Sequence, residues 1–329
     1  MPHDVITFGE AMVRLAPPHF QRLEQARSLD IEIGGAELNT AVGVARLGRS
    51  SAWVSRLANN ALGKLIANRV REAGVSDEHV LYAEDGSRCG LYFLEFGASP
   101  RASGLVYDRK DSAFAKASPG MFHWQTIFTG AKWFHVSGIT PALGPGMADA
   151  TLRALRAAKN AGLATSIDLN YRSTLWSAED AGLTMRKLLK SCDLLIASQG
   201  DAETLFGIKS SSFGEAASKL VDTFGVKMVV GVQRETPLVW RNKFGVVGFA
   251  SGKVFESPWY EVEIVDRLGA GDAMAAGLID GMLDGDFERG ILSGAAMGAL
   301  KHSIPGDLPW ITREEVNGVM SGHGLRIKR

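Results

Sequence analysis

The sequence changes from an apolar run to a helical pattern across Val265-Asp266-Arg267-Leu268-Gly269-Ala270-Gly271-Asp272-Ala273-Met274-Ala275-Ala276-Gly277. The apolar run ends at Val265, the small residues 269–271 predict a tight turn, and the helical pattern begins near Asp272. Such a turn presents unpaired backbone N–H groups and the positive end of a helix dipole at one point. This arrangement suits the binding of a phosphoryl group.

Asp272 is predicted to lie beside this anion hole. A carboxylate repels a phosphate, so its position there needs a reason, and accepting a proton from a substrate hydroxyl supplies one. The same residues also fit a loop whose acidic side chain only caps a helix. The stretch taken alone leaves both interpretations open.

Composition excludes several classes of protein. The chain has 329 residues, 46% of them apolar and 22% charged, which is typical of a folded α/β protein. Lys+Arg and Asp+Glu balance at 36 each, so no basic surface suggests a nucleic-acid partner. The two cysteines and seven histidines show no metal-ligand spacing. The start resembles no signal peptide and no run is long enough for a membrane span, which predicts a cytoplasmic protein without a membrane partner.

Strand and helix patterns alternate along most of the chain. Buried strands are predicted at 5–8, 133–137, 164–168 and 226–232, with helices between them, and shorter strands at 238–241 and 245–250. This alternation predicts an α/β fold with a largely parallel central sheet, helices on both faces, and active groups at the carboxyl ends of the strands. Segments 10–33 and 88–113 depart from the rhythm and predict a small β lid that excludes water from the site.

A second motif near the start, Gly34-Gly35-Ala36-Glu37-Leu38-Asn39, combines with Gly269-Ala270-Gly271-Asp272 to give a family resemblance. With both motifs in this order, the chain resembles the ribokinase-like (PfkB) family of carbohydrate kinases over nearly its whole length. Within that family it is most similar to the 2-keto-3-deoxygluconate kinases, on the evidence of Tyr107-Asp108-Arg109-Lys110, Asp168-Leu169-Asn170-Tyr171-Arg172 and Lys301-His302-Ser303-Ile304-Pro305-Gly306-Asp307. The resemblance implies a three-layer fold in one domain, residues 1–329, with the β lid attached.

The resemblance also implies an activity: ATP-dependent phosphorylation of the terminal hydroxyl of 2-keto-3-deoxygluconate, with Mg²⁺ accompanying the nucleotide. Asp272 would be the general base, and the amides of Gly269, Ala270 and Gly271 would stabilise the transferred phosphoryl group. The residues implied to bind substrate are Gly34, Gly35, Asn39, Tyr92, Tyr107, Arg109, Arg172 and Asp272.

Arginine would distinguish a sugar acid from a neutral sugar. A planar guanidinium can hold a carboxylate through two charge-assisted hydrogen bonds. We therefore expect Arg109 to bind the substrate carboxylate, although a solvated surface charge is the alternative. For Arg172, substrate and nucleotide-phosphate contacts stay equally open.

The nucleotide side departs from the family pattern. Ser198-Gln199-Gly200-Asp201 stands where the family has Asn-x-x-Glu, so Asp201 is expected to reach Mg²⁺ only through water. The segment 231–236 stands where the family has Lys-x-Gly-x-x-Gly, and there Arg234 could supply the missing charge. The nucleotide contacts implied are Asn170, Arg172, Ser198, Gly231, Gln233, Arg234, Gly269, Gly271 and Ala296.

Two other functions stay open on the sequence. One is a kinase of the same fold that acts on a neutral sugar or nucleoside, as a fructokinase does. The other is a non-catalytic sugar-binding relative, suggested by the altered segment 231–236. The expected partners are a sugar acid, ATP and a second copy of the chain that pairs through the lid.

Overall fold

A computed structural model describes residues 2–84, 86–238 and 240–322. The predicted domain 1–329 also includes Met1, Asp85, Val239 and 323–329, which lie outside the described residues. The strands are β1 (Val5–Phe8), β2 (Met12–Ala16), β3 (Asp30–Gly34), β4 (Ser51–Ala58), β5 (Val80–Ala83), β6 (Gly90–Glu95), β7 (Gly104–Asp108), β8 (Trp133–Ser137), β9 (Ala164–Asp168), β10 (Leu194–Ile196), β11 (Met228–Leu238), β12 (Arg241–Ala250), β13 (Lys253–Glu256) and β14 (Tyr260–Glu263). The helices are α1 (Ala36–Arg46), α2 (Ala61–Glu72), α3 (Trp124–Ile127), α4 (Ile139–Ala142), α5 (Pro145–Asn160), α6 (Ala178–Leu188), α7 (Gln199–Phe206), α8 (Phe213–Phe224), α9 (Ala270–Leu283), α10 (Phe287–Lys301) and α11 (Arg313–Met320).

The central sheet is mostly parallel. Strands β5, β4, β1, β8, β9, β10 and β11 lie side by side in that order, and each runs parallel to its neighbours. Strand β12 returns antiparallel beside β11, and β13 and β14 pair with β12. Because helices connect the parallel strands, the predicted α/β class is confirmed, and the carboxyl ends of the strands meet along one edge.

Helices cover both faces of this sheet and bury its alternating side chains. On one face, Phe8 and Phe134 belong to a core shared with α5, α6, α7 and α8. On the other face, Val5 and Trp133 belong to a core shared with α1, α9 and α10. The two cores produce the three layers that the resemblance implied. Among the helices of the described residues, none combines the length and apolar character that crossing a membrane requires.

A second, smaller sheet has the strand order β3-β2-β6-β7. Its strands come from the two segments in which a lid was predicted from sequence. Strand β7 is exposed along its whole length, whereas β2 is mostly buried against the main domain. We call these four strands the small sheet.

The hairpin of β11 and β12 differs from the prediction. Strand β11 continues through residue 238 and β12 begins at Arg241, so the separate strand predicted at 238–241 is wrong. The pairing continues because Gln233, Arg234 and Glu235 each face a residue of β12. Cross-strand pairing therefore keeps residues 233–235 in a strand, although their polar sequence shows no strand pattern of its own.

Candidate active site

A cleft of about 890 Å³ lies at the carboxyl edge of the central sheet, beside the N-termini of α1 and α9. The small sheet borders it through Tyr92 and Tyr107. The predicted site residues that line it are Gly34, Gly35, Asn39, Tyr92, Tyr107, Arg109, Asn170, Arg172, Ser198, Asp201, Arg234, Gly269, Gly271 and Asp272. The fold therefore brings together residues that lie far apart in the chain.

Two glycines lie at the start of α9 beside the cleft, and a side chain would be excluded at one of them but not at the other. Gly269 precedes the helix with a φ of 82°, and a Cβ there would lie 2.1 Å from the carbonyl oxygen of Asp307. A Cβ on Gly271 would meet nothing within 4 Å, because this residue faces the open cleft. The first turn thus offers amides without intrahelical acceptors next to free space that an anion could fill.

Asp272 faces the same space and is held by α1. The Asn39 side-chain amide donates a hydrogen bond of 2.7 Å to Oδ2 of Asp272, which leaves Oδ1 for another partner. Desolvation raises the pKa of Asp272 to about 7, against the Asn39 hydrogen bond and with help from the charges of Asp168 and Glu37. A carboxylate with a pKa near neutrality is suited to accept a proton.

Glu37, beside Asn39 on α1, is buried beneath the cleft. Its Oε1 accepts hydrogen bonds from the Ser137 amide at 2.9 Å, the Ser137 hydroxyl at 2.8 Å and the Thr140 hydroxyl at 2.8 Å. Burial nevertheless raises the pKa of Glu37 above its usual value. These contacts tie the start of α1 to the end of β8 and so fix the position of Asn39.

The glycine pair allows close approach of backbone segments. A Cβ on Gly35 would lie 2.1 Å from the carbonyl oxygen of Glu10, and a Cβ on Gly34 would lie 2.2 Å from Oδ2 of Asp307. The pair is thus required by packing around the cleft, and both residues also line it.

Arg109 lines the cleft but already has a carboxylate partner. Its Nε and Nη2 donate to Oε2 of Glu10 at 2.9 and 2.5 Å. The Glu10 side chain is 2% exposed, and the Ser112 hydroxyl donates to its Oε1. Glu10 therefore fixes the direction of the guanidinium, and the N–H groups of Nη1 take no part in this pairing.

Tyr92 belongs to a buried polar cluster rather than standing free in the cleft. Its hydroxyl donates a hydrogen bond of 2.5 Å to Oδ2 of Asp307, and its ring stacks on Tyr107 with centroids 5.8 Å apart. Nη1 of Arg14 lies 2.8 Å from Oδ1 of Asp307 and 2.7 Å from Oδ2 of Asp266, so this guanidinium links the two carboxylates. Tyr92 can therefore offer a ligand its ring and the lone pairs of its hydroxyl oxygen, while Tyr107 is 46% exposed.

Asp168 and Asp201 lie on the wall of the cleft that is formed by the end of β9 and the first turn of α7. Desolvation, together with the charge of Asp201, raises the pKa of Asp168 to about 7, although the Asn170 amide and Arg172 act in the other direction. Asp201 also forms a capping box with Ser198: each residue's side chain accepts a hydrogen bond from the other's backbone amide, at 2.8 and 3.0 Å. The motif that stands in place of Asn-x-x-Glu thus begins α7.

Positive side chains gather on this wall. Arg172, Arg234 and Arg267 all line the cleft, and the Arg234 guanidinium lies 5.8 Å from the Phe244 ring centroid. Desolvation, followed by the like charges of Arg267 and Arg172, lowers the pKa of Arg234. Mutual repulsion of this kind is relieved when an anion binds between the cations.

Three of the predicted nucleotide contacts do not line this cleft. Val232 and Arg234 face it, so the pleat turns Gly231 and Gln233 to the other side of β11. Gly231 packs against Phe213, and Gln233 lies near Gly245. Ala296 is 0% exposed in the core between α10 and the sheet, where its neighbours are apolar. Ala270 is likewise buried, so only its backbone could serve a ligand.

Sequence reasoning missed several residues of the site. Glu10 lies two residues after the end of β1, at the carboxyl edge of the sheet where active groups are expected, and this position indicates a site residue. Asp168 ends β9 at the same edge. Asp307 could not be predicted as a partner of Tyr92, because 215 residues separate them.

The central parallel sheet, its two helical layers and the small sheet beside the cleft define the ribokinase-like class of fold. The model of the pfkB family of carbohydrate kinases matches residues 2–308, and the chain belongs to that family.

Relatives within the family are similar over almost their entire lengths. A 2-dehydro-3-deoxygalactonokinase from Haloferax volcanii is 36% identical, with 100% of both chains covered. A 2-dehydro-3-deoxygluconokinase from Bacillus subtilis is 30% identical, with 98% of this chain and 96% of the relative covered. The crystal structure of a 2-dehydro-3-deoxygluconokinase from Thermotoga maritima superposes with a TM-score of 0.94 at 39% identity, covering 98% of this chain and 99% of the other.

Proposed function

We propose that this protein transfers the γ-phosphoryl group of ATP to the terminal hydroxyl of 2-keto-3-deoxygluconate, giving 2-keto-3-deoxy-6-phosphogluconate. The observation that carries the proposal is the Asp272 carboxylate, held by Asn39 against the first turn of α9. In the proposed reaction Oδ1 accepts the hydroxyl proton while the hydroxyl oxygen bonds to the γ-phosphorus and the bond to ADP breaks. The amides of residues 269–271 neutralise the charge on the transferred group.

The substrate carboxylate is assigned to Arg109. Its guanidinium is only partly used by Glu10, and its side chain lies on the same cleft as Asp272. A sugar acid that places its terminal hydroxyl at Asp272 would thus have a cation within the same cleft for its other end. A neutral sugar gains nothing from that cation.

The nucleotide is assigned to the wall that carries Arg172 and Arg234, because a triphosphate relieves the repulsion among clustered cations. Asp168 and Asp201 fit a divalent cation, since the charge of Asp201 raises the pKa of Asp168 and a positive charge between the two carboxylates would stabilise the ionised form of Asp168. Mg²⁺ bound there would neutralise phosphate charge. The protein's own residues orient the sugar hydroxyl and remove its proton.

The relatives are named for two sugar acids. A 2-dehydro-3-deoxygluconate and a 2-dehydro-3-deoxygalactonate differ only in configuration at C4, so they present the same carboxylate and terminal hydroxyl. The relative named for the galactonate is 36% identical to this chain, against 30% and 39% for the two proteins named for the gluconate, so both acids have comparable support. The galactonate epimer is therefore the second candidate substrate.

A substrate panel tests the proposal. The purified protein is assayed for ADP release with ATP and Mg²⁺ against both 2-keto-3-deoxy acids, gluconate, fructose and ribose, and the product is assigned by ³¹P NMR. We expect kcat/KM for a 2-keto-3-deoxy acid to exceed that for every neutral sugar by about 100-fold, because charge-assisted hydrogen bonds contribute roughly 1.5–3 kcal/mol each. Equal rates with fructose would favour a neutral-sugar kinase. Absence of turnover and of ATP binding at millimolar concentration would favour a non-catalytic relative.

Arg109→Ala tests whether Arg109 binds the substrate carboxylate, independently of its effect on the chemical step. We expect this substitution to lower kcat/KM for the sugar acid about 10- to 100-fold and to change that for a poor neutral substrate less than threefold. Arg88→Ala is a matched control, because Arg88 begins the segment 88–113 that also contains Arg109, but it pairs with the exposed Asp108. An equal loss for acid and neutral substrates in Arg109→Ala would refute the assignment.

The small sheet is also the proposed dimer contact. Its edge strand β7 exposes Leu105 and Val106 at 42% and 56%, and an exposed apolar edge is stabilised when a second copy covers it. Light scattering of the purified protein tests this, with a monomer as the contrary result.

A further inference from the structure

Lys301, the last residue of α10, is a buried cation with no part in the mechanism above. Its side chain is 0% exposed, and its amino group donates a hydrogen bond of 2.9 Å to the carbonyl oxygen of Ile304. Burying an ammonium group is unfavourable unless nearby negative charge compensates it. A lysine at this position therefore requires an electrostatic explanation.

The surroundings of Lys301 connect it to the anion hole. A Cβ on Gly269 would lie 3.4 Å from Cε of Lys301, so the lysine stem packs against the residue that immediately precedes α9. The amides of Val265 and Asp266 donate to the carbonyl oxygen of His302, at 2.8 and 3.1 Å. The end of α10 thus forms the support behind the loop that leads into α9.

The two carboxylates buried behind the anion hole are fully compensated only when Lys301 is included. Asp266 is 1% exposed and Asp307 6%, and both carboxylates share one cation, Arg14, which is 3% exposed. Two carboxylates and one guanidinium leave a net charge of −1 behind the anion hole. A protonated Lys301 brings the buried set to zero.

A residual negative charge at this place would oppose the reaction in two ways. It would repel the phosphoryl group that approaches the amides of residues 269–271. It would also favour the protonated form of Asp272, whose pKa already responds to the charge of Asp307.

We propose that Lys301 is a positioning residue for phosphoryl transfer: a fixed internal cation that cancels the buried charge of Asp266 and Asp307 and so keeps the anion hole receptive and Asp272 ionised. Other charged groups that act on Lys301 are Arg14 and Asp272, and His302 follows it in the chain. Burial lowers the pKa of Lys301, while Asp266 and Asp307 raise it, as expected for a cation held by buried carboxylates. The role rests on the proposed kinase function.

Lys301→Gln tests this role, because glutamine keeps a donor for Ile304 and removes the charge. We expect kcat/KM at pH 7 to fall by about 10- to 100-fold, and the acid limb of its pH profile to move upward by about half a unit to one unit. The upward sign follows because loss of a nearby positive charge raises the pKa of a carboxylate. Lys159→Gln is the control: Lys159 binds Asp193 at 2.8 Å, away from the cleft, and its loss should leave the limb unmoved.

The activity of the wild-type protein tests the proposed function separately from the role of Lys301. A wild-type protein that phosphorylates no sugar contradicts the proposed function itself. With an active wild type, a folded Lys301→Gln variant whose acid limb stays in place overturns the charge-balancing role. If the variant does not fold, the ¹⁵N chemical shift of the slowly exchanging Lys301 amino group in the wild-type protein shows whether this amine is protonated. A protonated amine at pH 7.5 supports the role, and a neutral amine overturns it.

Discussion

Replacing Asn39 with alanine removes the hydrogen bond that holds Asp272 in its ionised form. The bond is 2.7 Å long, and it opposes the desolvation that raises the pKa of Asp272 to about 7. A hydrogen bond to a charged group contributes roughly 1.5–3 kcal/mol. At about 1.4 kcal/mol per pKa unit, its loss should raise the pKa of the base by about one to two units.

The assay is the pH dependence of kcat/KM for the sugar acid, followed by ADP release. In the wild type we expect activity to fall as pH drops through about 7, because Asp272 becomes protonated. In Asn39→Ala the same fall should occur near pH 8–9, with about a 5- to 50-fold loss at pH 7 and recovery at high pH. General damage would instead lower the activity at every pH.

Thr40→Val is the matched control for this substitution. The Thr40 hydroxyl lies on the same helix and contacts the backbone carbonyl of Asp272 at 3.4 Å, not its carboxylate. Its loss should leave the acid limb where it is. An Asn39→Ala profile that coincides with the wild type in shape would refute the reasoning.

Two further predictions concern charge. Arg234→Met should raise KM for ATP about 10-fold or more with little change in KM for the sugar acid, because it removes a cation from the wall assigned to the nucleotide. The control is Gln233→Ala, on the other side of the strand, which should change neither KM. An unchanged KM for ATP in Arg234→Met would contradict the assignment. Asp280→Asn should lower the free energy of unfolding by about 2–4 kcal/mol in urea titrations, because Asp280 is 0% exposed and binds Arg49, Arg289 and Arg313. Asp284→Asn, 42% exposed beside Arg49 and Arg289, should cost less than about 1 kcal/mol, and equal losses would count against a buried charge centre.

The features that could be predicted from the sequence are those set by local pattern. The turn at Gly269 and the start of α9 follow from glycine and helix signals within a few residues, and alternating strands and helices predicted the parallel sheet. The same patterns located the small sheet, because segments 10–33 and 88–113 break the alternation.

Features that depend on contacts between distant segments could not be predicted. The pairing of Arg109 with Glu10 joins residues 99 positions apart, and nothing near either one indicates the other. The burial of Lys301 likewise results from the packing of α10 behind α9. Charged side chains are mostly exposed in proteins, so a buried pair or lysine runs against expectation.

Two features of the nucleotide side can be predicted from local sequence patterns. Ser198 and Asp201 have the spacing of a capping box, which predicts the start of a helix such as α7. The period of two along a strand places Val232 and Arg234 on one face and Gly231 and Gln233 on the other. Family position alone gave no information about which face meets the cleft.

The central claim is that Asp272 removes the proton from the hydroxyl that receives the phosphoryl group. Asp272→Asn keeps the size of the side chain and removes its basicity. The decisive measurement is kcat of this variant with ATP and the sugar acid, alongside calorimetric binding of the sugar acid. The account predicts a fall in kcat of about 10²- to 10⁴-fold or more with binding within a few-fold of the wild type. Turnover near the wild-type rate would contradict it.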